Sequence, residues 1–384
     1  MKTDSKVPRR KFLQLGSAAA LAGTVGPQLQ AASWIKNQMV FYDDPEKVRL
    51  FSNENPYGPS AQVLKVIAQQ SKRVNRYASY HPFATDQLAE AIAQKNSLHP
   101  DQVLLGHGSF EILCMLSRAF GGSPASIIAP ELTFNVIAAY ANKIFENAAT
   151  YVPMSSEADI DLDATINAIT PATKLVYLCN PNNPTGKLLP AGRVEDFCKE
   201  VASGERVIAI DEAYIDLAPP QKRPDLIKLL QEKYNILSIR TFSKAYGMAG
   251  LRIGYLIGLP ETIQKIKDHH IGFYGLLNNL GTAAAITALT NDNYVENYRL
   301  KNQEVRDWVI GELQKSGLRV LESNTNFIMH EVGDVKRFKE AIKKAGLGIL
   351  PGGWPKYPDW VRVSIATRPE MEIYMAEIKK WVGQ

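Results

Sequence analysis

The stretch Thr241-Phe242-Ser243-Lys244-Ala245-Tyr246-Gly247-Met248-Ala249-Gly250-Leu251-Arg252 places one lysine just past the apolar run 236–241, which predicts a strand. A lysine amine attacks a carbonyl only when it is neutral and fixed in place, which burial and nearby cationic charge can achieve. The flanking hydroxyls and Arg252 could hold a phosphate. The stretch therefore fits a covalently bound, phosphorylated aldehyde cofactor, although a Ser-Lys pair alone is more often a surface turn.

Short apolar runs alternate with segments of helical period, which predicts an α/β sheet. The expected strands are 103–105, 126–129, 174–179, 207–210, 236–241 and 255–258, and amphipathic helices include 110–120 and 194–202. From residue 293 the pattern changes to a long charged helix, two apolar runs and two further helices. This second part predicts a smaller α+β lobe.

Polar motifs follow most of the predicted strands of the larger lobe, at the sheet edge where α/β proteins bind ligands. Gly106-His107-Gly108-Ser109-Phe110 opens a helix and could bind an anion, or could be a plain glycine turn capped by Ser109. Phe134 offers an aromatic face or simple core packing. Asn183 lies in the loop Asn180-Pro181-Asn182-Asn183-Pro184-Thr185-Gly186, whose two prolines and glycine fix its shape.

Asp211 ends a buried apolar run, where an unpaired carboxylate would be costly. A protonated pyridine nitrogen would satisfy it, and Tyr214 could then reach a ring hydroxyl. A metal ion is the alternative, but the sequence supplies no companion ligands at a recognisable spacing. We therefore expect no metal site.

Together these segments resemble the fold-type I, class I/II pyridoxal-phosphate aminotransferases, most closely the histidinol-phosphate aminotransferase branch, from about Phe51 to the C-terminus. The resemblance implies a large, mostly parallel seven-stranded sheet domain and a smaller α+β domain. It also implies a cofactor, pyridoxal 5'-phosphate, bound as an aldimine to Lys244. The expected divisions are a signal peptide at 1–32, a segment at 33–73 that joins the small domain, a cofactor-binding domain at 74–292 and a C-terminal domain at 293–384.

The resemblance also assigns roles to individual residues. Lys244, Asp211 and Tyr214 would be catalytic. Substrate would contact Tyr57, Asn183 and Arg362. Cofactor binding would involve, besides the catalytic three, Asn183, Phe134, Ser109, Phe110, Thr241, Ser243, Arg252 and Tyr77. Because Tyr77 would reach the phosphate of a neighbouring subunit, a homodimer with shared active sites is expected.

Two departures from the branch pattern concern the substrate. Many histidinol-phosphate enzymes carry a second arginine before the one matched by Arg362, and Leu350 stands in its place. Gly275 replaces an expected aromatic residue, although Phe273 or Tyr274 could substitute. Losing one charge-assisted hydrogen bond, worth about 1.5 to 3 kcal/mol, would weaken a phosphorylated substrate roughly tenfold or more.

The expected reaction is ping-pong transfer of an amino group from an L-amino acid, or from histidinol phosphate, to a 2-oxo acid such as 2-oxoglutarate. A decarboxylase or lyase on the same scaffold is the nearest alternative. An exported binding protein that has lost catalysis is a more distant one.

Pro8-Arg9-Arg10-Lys11-Phe12-Leu13-Gln14, a weakly apolar run and Ala31-Ala32-Ser33 resemble a twin-arginine export signal. The apolar run is about half the ~20 residues that a membrane span requires, so no stable membrane insertion is expected. The protein would be periplasmic or exported, and cytoplasmic if the signal is not used. The net charge of +5 is spread along the chain without basic clusters, so no nucleic-acid partner is expected.

Overall fold

The computed structural model describes residues 48–77, 84–202, 205–270, 277–350 and 352–383. The predicted signal at 1–32, together with residues 33–47, lies outside these ranges. The described strands are β1 Val48–Leu50, β2 Val103–Gly106, β3 Ile127–Pro130, β4 Ala149–Val152, β5 Leu175–Cys179, β6 Val207–Asp211, β7 Ile236–Thr241, β8 Gly254–Ile257, β9 Phe327–Glu331, β10 Leu347–Ile349 and β11 Trp360–Ser364.

Twelve α-helices lie in the same described ranges. They are α1 Ala61–Gln70, α2 Ala84–Lys95, α3 Ser109–Phe120, α4 Val136–Ile144, α5 Leu162–Asn167, α6 Ala191–Val201, α7 Leu226–Gln231, α8 Pro260–Lys267, α9 Asn279–Leu289, α10 Asp292–Lys315, α11 Val335–Lys344 and α12 Arg368–Val382. No helix within these ranges is both long and apolar enough to span a membrane.

Seven strands form the main sheet in the order β2-β8-β7-β6-β5-β3-β4. Strand β8 is antiparallel to both of its neighbours, and the other pairs are parallel. This arrangement confirms the predicted fold class. The six predicted strands are present with ends within a residue or so, and β4 was not predicted because half-exposed Ala149, Thr150 and Tyr151 give this edge strand no apolar run.

Both faces of the main sheet are covered, which explains why a central strand such as β5 is buried on both faces rather than alternating between core and solvent. Along β5, Val176 and Leu178 point into one hydrophobic core, and Leu175 and Tyr177 point into another on the opposite face. All five β5 residues are buried. The strand ends are therefore fixed from both sides, which positions the loops that follow them.

A third core lies in the C-terminal part, where β9 pairs with β11 and β1 pairs with β10. The segment 33–73 was predicted to join the smaller domain, but its described residues, 48–73, contribute to two different hydrophobic cores. Strand β1 joins this third core through Leu50, whereas α1 places Val63 in a core of the large sheet. The reason is that α1 presents an apolar stripe to α9.

Candidate active site

A pocket of about 440 Å³ opens at the carboxyl ends of the parallel strands. It is lined by Ser52, Asn53, Glu54, Ser109, Phe110, Phe134, Cys179, Asn183, Asp211, Ala213, Tyr214, Thr241, Ser243, Lys244, Ala249, Gly250, Arg252 and Arg362. The motifs predicted after five different strands therefore meet in one place. Arg362, from β11, comes to the same pocket from the smaller sheet.

Lys244 stands in the turn after β7, with its Nζ donating a hydrogen bond to the carbonyl of Ser52 at 2.9 Å. Burial lowers the pKa of this amine to about 8, and the positive charge of Arg362 acts in the same direction. Glu54 opposes the shift. A substantial fraction of the amine is therefore neutral near pH 8, as a nucleophile or base requires.

Asp211 is buried at the end of β6, and each of its carboxylate oxygens accepts one hydrogen bond from the protein. The Ala213 backbone N–H donates to Oδ1 at 3.1 Å, and the Tyr177 hydroxyl donates to Oδ2 at 3.2 Å. Burial raises the pKa of Asp211 to about 6. At neutral pH the carboxylate is thus ionised and suited to pair with a cationic ring nitrogen.

The N-terminus of α3 is suited to bind an anion, because the helix begins after Gly108 and so has no side-chain cap. Thr241 and Ser243 line the same end of the pocket, where their hydroxyls are 3.0 Å apart. A Cβ added to Gly108 would lie 2.5 Å from Arg252 Nη2. The missing side chain lets the guanidinium approach the bare helix end.

Arg362 is buried, and its guanidinium forms two hydrogen bonds. Nη1 donates to Asn183 Oδ1 at 2.5 Å, and Nη2 donates to the carbonyl of Phe51 at 2.7 Å. Its Nε has no partner in the described part of the protein. Since Asn183 Oδ1 is occupied by this contact, the Asn183 Nδ2 group is the donor that remains for a ligand.

Tyr214 follows β6 and is buried against Phe327, with ring centroids 5.0 Å apart. Its hydroxyl accepts a hydrogen bond from Asn53 Nδ2 at 3.0 Å, and burial raises its pKa. Phe134 lines the pocket and also packs against the core beneath it. The two interpretations of Phe134, ring stacking and core packing, are therefore compatible.

Two predicted site residues, Tyr57 and Tyr77, do not line this pocket. Tyr57 is 43% exposed, and its ring packs against Tyr298 with centroids 6.1 Å apart. Tyr77 is 82% exposed. A single chain thus leaves both tyrosines at its surface.

Two positions, Leu350 and Gly275, differ from the pattern expected of histidinol-phosphate aminotransferases, and the structure describes only the first. Leu350 forms an isolated antiparallel bridge with Arg362, so the two side chains project from the same face of the sheet. Gly275, Phe273 and Tyr274 lie outside the described residues. The leucine therefore stands beside the predicted substrate arginine.

Several pocket residues were not singled out from the sequence, notably Ser52, Asn53 and Glu54. They lie shortly before Tyr57, which the family resemblance assigns to substrate binding. Asn53 adopts a φ of 53°, which turns the chain so that this segment reaches Tyr214 and Lys244. The positive φ at a non-glycine residue is not visible in the sequence pattern.

The residues present fit a phosphorylated pyridine aldehyde. Lys244 supplies the amine, Asp211 the partner for a protonated ring nitrogen, and the bare end of α3 with Arg252 the phosphate site. Gly254 approaches so closely that an added Cβ would lie 2.4 Å from the Ser109 nitrogen. Within the described ranges no three His, Cys, Asp or Glu side chains cluster in a way that could hold a metal ion.

The chain matches the family "Aminotransferase class I and II" over residues 45–377. Histidinol-phosphate aminotransferase 2 of Nitrosospira multiformis is 32% identical over 337 residues, covering 88% of this chain and 84% of that protein. Histidinol-phosphate aminotransferase of Staphylococcus saprophyticus is 35% identical over 331 residues, covering 86% and 90%. The crystal structure of histidinol-phosphate aminotransferase from Sinorhizobium meliloti in complex with pyridoxal-5'-phosphate is similar with a TM-score of 0.78 and 28% identity, covering 88% and 91%.

Proposed function

Because this chain belongs to the class I and II aminotransferase family, we propose that it transfers an amino group from an L-amino acid, or from histidinol phosphate, to a 2-oxo acid such as 2-oxoglutarate. The chain is a pyridoxal-phosphate-dependent aminotransferase, similar to histidinol-phosphate aminotransferases. The observation that supports the proposed substrates is the buried Arg362, which lines the same pocket as Lys244 and whose Nε has no hydrogen-bond partner among the described residues. A guanidinium there can bind a carboxylate or a phosphate.

Pyridoxal phosphate would be held by residues at one edge of the seven-stranded sheet. Lys244 would bind its aldehyde, Asp211 its ring nitrogen, Asn183 and Tyr214 its ring oxygen, and Phe134 its face. Its phosphate would lie against Ser109, the Phe110 backbone, Thr241, Ser243 and Arg252. The bound cofactor supplies an electron sink for the bond that breaks at the substrate Cα.

The chain's own residues then account for proton transfer and substrate binding. The lowered pKa of Lys244 lets its amine accept a proton from the substrate Cα near neutral to mildly basic pH. Arg362 would orient the substrate by binding its anionic group. The guanidinium of Arg362 is itself held in place by hydrogen bonds to Asn183 and the Phe51 carbonyl. Because the oxo product of the donor leaves before the acceptor enters, one arginine can serve both substrates in a ping-pong sequence.

The test is a screen of amino donors against the cofactor-loaded protein, followed by the change in its visible absorption. Histidinol phosphate, aromatic amino acids and glutamate should be included, with 2-oxoglutarate as acceptor. We expect one donor class to bleach the absorption and 2-oxoglutarate to restore it. Carbon dioxide release without an oxo acid product, or turnover by Lys244→Ala, would contradict the proposal.

We further propose a homodimer in which each chain contributes to the other's active site. The supporting observation is the exposure of Tyr57 and Tyr77, two residues that the family resemblance assigns to substrate and cofactor binding. Both lie on one continuous segment outside the pocket of their own chain. Sedimentation of the loaded protein would test the dimer, and a monomer at micromolar concentration would contradict it.

Export by the twin-arginine route is also a proposal, supported by Arg9-Arg10 and the following apolar run. The experiment fuses residues 1–33 to a reporter that can be exported folded. Replacing Arg9 and Arg10 with lysines should leave the reporter in the cytoplasm. Equal export of both fusions, or retention of both, would contradict the proposal.

A further inference from the structure

Tyr177 is a fully buried tyrosine beneath the pocket, and the proposed mechanism gives it no role. It lies on β5 two residues before Cys179, on the same face of the sheet. Cys179 pairs in register with Asp211 of the neighbouring strand, and Tyr177 pairs with Ala209. The small side chain of Ala209 leaves room for the Tyr177 ring to reach diagonally to Asp211.

The Tyr177 hydroxyl lies 3.2 Å from Asp211 Oδ2, and the tyrosine has an exposed fraction of 0%. A buried phenol needs a hydrogen-bond acceptor, and a buried carboxylate needs donors. Ala213 supplies the donor for Oδ1. Because the two donors bind different oxygens of the carboxylate, they fix its plane as well as its position.

We propose that Tyr177 is a positioning residue for Asp211, whose hydroxyl holds the carboxylate ionised and correctly aimed at the ring nitrogen of the cofactor. The inference concerns how Asp211 is prepared and goes beyond the proposed reaction, but it rests on the proposed pairing of Asp211 with that nitrogen. Burial raises the pKa of Asp211 and so disfavours the ionised carboxylate, whereas the hydrogen bond donated by Tyr177 lowers that pKa.

Other titratable groups around Asp211 act on the same equilibrium. Glu212, the next residue, disfavours the ionised carboxylate, and Lys244 favours it. Cys179 and Tyr214 are both neutral at physiological pH, since burial raises the pKa of each. Among the described residues, Tyr177 is the one side chain that donates a hydrogen bond to Asp211, and Ala213 donates through its backbone.

The experiment compares wild type, Tyr177→Phe and Tyr374→Phe in cofactor-free protein. The infrared carbonyl band of protonated Asp211, identified by its loss in Asp211→Asn, is followed against pH. Tyr177→Phe should move the midpoint upward by about one pH unit, and weaken pyridoxal phosphate binding at neutral pH about tenfold. Tyr374 is a fully buried tyrosine whose hydroxyl contacts His330 in the smaller lobe, so Tyr374→Phe is the matched control.

An unchanged Asp211 midpoint in Tyr177→Phe would overturn the inference, and so would an equal shift in Tyr374→Phe. A double variant, Tyr177→Phe/Asp211→Asn, removes the buried carboxylate along with the donor. It shows whether Tyr177→Phe lowers cofactor affinity through Asp211 or through a general folding defect. In the Asp211→Asn background, Tyr177→Phe should leave cofactor affinity unchanged, because its effect passes through the carboxylate. A further loss there overturns the inference, whereas wild-type cofactor affinity in Asp211→Asn alone would instead contradict the proposed role of Asp211.

Discussion

At the scale of single residues, the charge of Glu54 contributes to the pH range in which Lys244 is neutral. Glu54 raises the Lys244 pKa against the effects of burial and Arg362. Glu54→Gln should therefore lower that pKa below about 8, so that the amine loses its proton at lower pH. The pH midpoint for the rate of cofactor incorporation into cofactor-free protein should fall by up to about one unit.

The control for this prediction is Glu90→Gln, which removes an exposed carboxylate on α2, away from the residues that line the pocket. Its midpoint should match that of wild type. A Glu54→Gln midpoint that stays the same or rises would mean that another group determines the Lys244 pKa.

Leu350 is the second residue whose chemistry can be tested alone. It stands beside Arg362 on the same face of the sheet, so an arginine there would add a second cation near the substrate's anionic group. Leu350→Arg should raise kcat/KM for histidinol phosphate, relative to an unphosphorylated amino donor, by about tenfold or more. Leu350→Met is the matched neutral control, and an unchanged ratio in Leu350→Arg would place the phosphate elsewhere.

At the scale of secondary-structure elements, the contact between β8 and the start of α3 shapes the proposed phosphate site. Gly254 begins β8, and an added Cβ would lie 2.4 Å from the Ser109 nitrogen and 2.6 Å from the Gly108 carbonyl carbon. Gly254→Ala should push the helix end out of place. We expect cofactor affinity to fall about tenfold or more and the free energy of unfolding to fall by about 1–3 kcal/mol.

Urea unfolding and cofactor titration measure the two effects. Gly311→Ala is the control, because Gly311 lies within α10 with no heavy atom within 4 Å of its added Cβ. That change should raise stability by up to about 1 kcal/mol without changing cofactor affinity. Normal affinity in Gly254→Ala would show that the close approach is unimportant for phosphate binding.

Elements with long apolar runs could be predicted from the sequence, and elements defined by pairing could not. Strand β7 was predicted with its observed ends, because Ile236, Leu237 and Ile239 form an apolar run that leads into the Lys244 motif. Strands β1 and β10 are three residues each and pair with each other, with partner residues 299 positions apart in the chain, which no local pattern encodes.

The site residues also divide into those that the sequence pattern could predict and those that depend on pairing and turn geometry. Lys244, Asp211 and Arg252 lie at strand ends, so knowledge of the strands was enough to bring them together. Ser52 enters through its backbone carbonyl, and Tyr177 through a diagonal contact within the sheet. Backbone groups and diagonal contacts depend on register and turn geometry, which the sequence pattern leaves open.

At the scale of the whole molecule, the pocket is lined by residues of the seven-stranded sheet and of the two-stranded sheet of β9 and β11. Lys244 and Asp211 come from the large sheet, and Arg362 comes from β11 of the smaller one. The contact of Arg362 with Asn183 links the two directly. A movement of the smaller lobe would therefore change the distance between the substrate's anionic group and the reacting amine.

The proposed dimer gives a prediction that belongs to the assembly alone. Tyr77 is exposed and absent from its own chain's pocket, so Tyr77→Ala should weaken cofactor binding only if the tyrosine acts in the neighbouring subunit. Lys244→Ala should inactivate the site of its own chain. In a mixed dimer of the two variants, one site carries both defects and the other has intact Lys244 and receives an intact Tyr77 from the Lys244→Ala chain.

Purified mixed dimers, separated by two different affinity tags, should therefore recover about half of wild-type activity at a cofactor concentration that leaves Tyr77→Ala homodimers mostly empty. Recovery of this kind cannot arise if Tyr77 acts within its own chain, because every site would then carry one defect. Activity no higher than the mean of the two homodimers would contradict a shared active site. A mixture of Lys244→Ala with Asp211→Asn chains is the control, since both residues line the pocket of their own chain and no intact site can form.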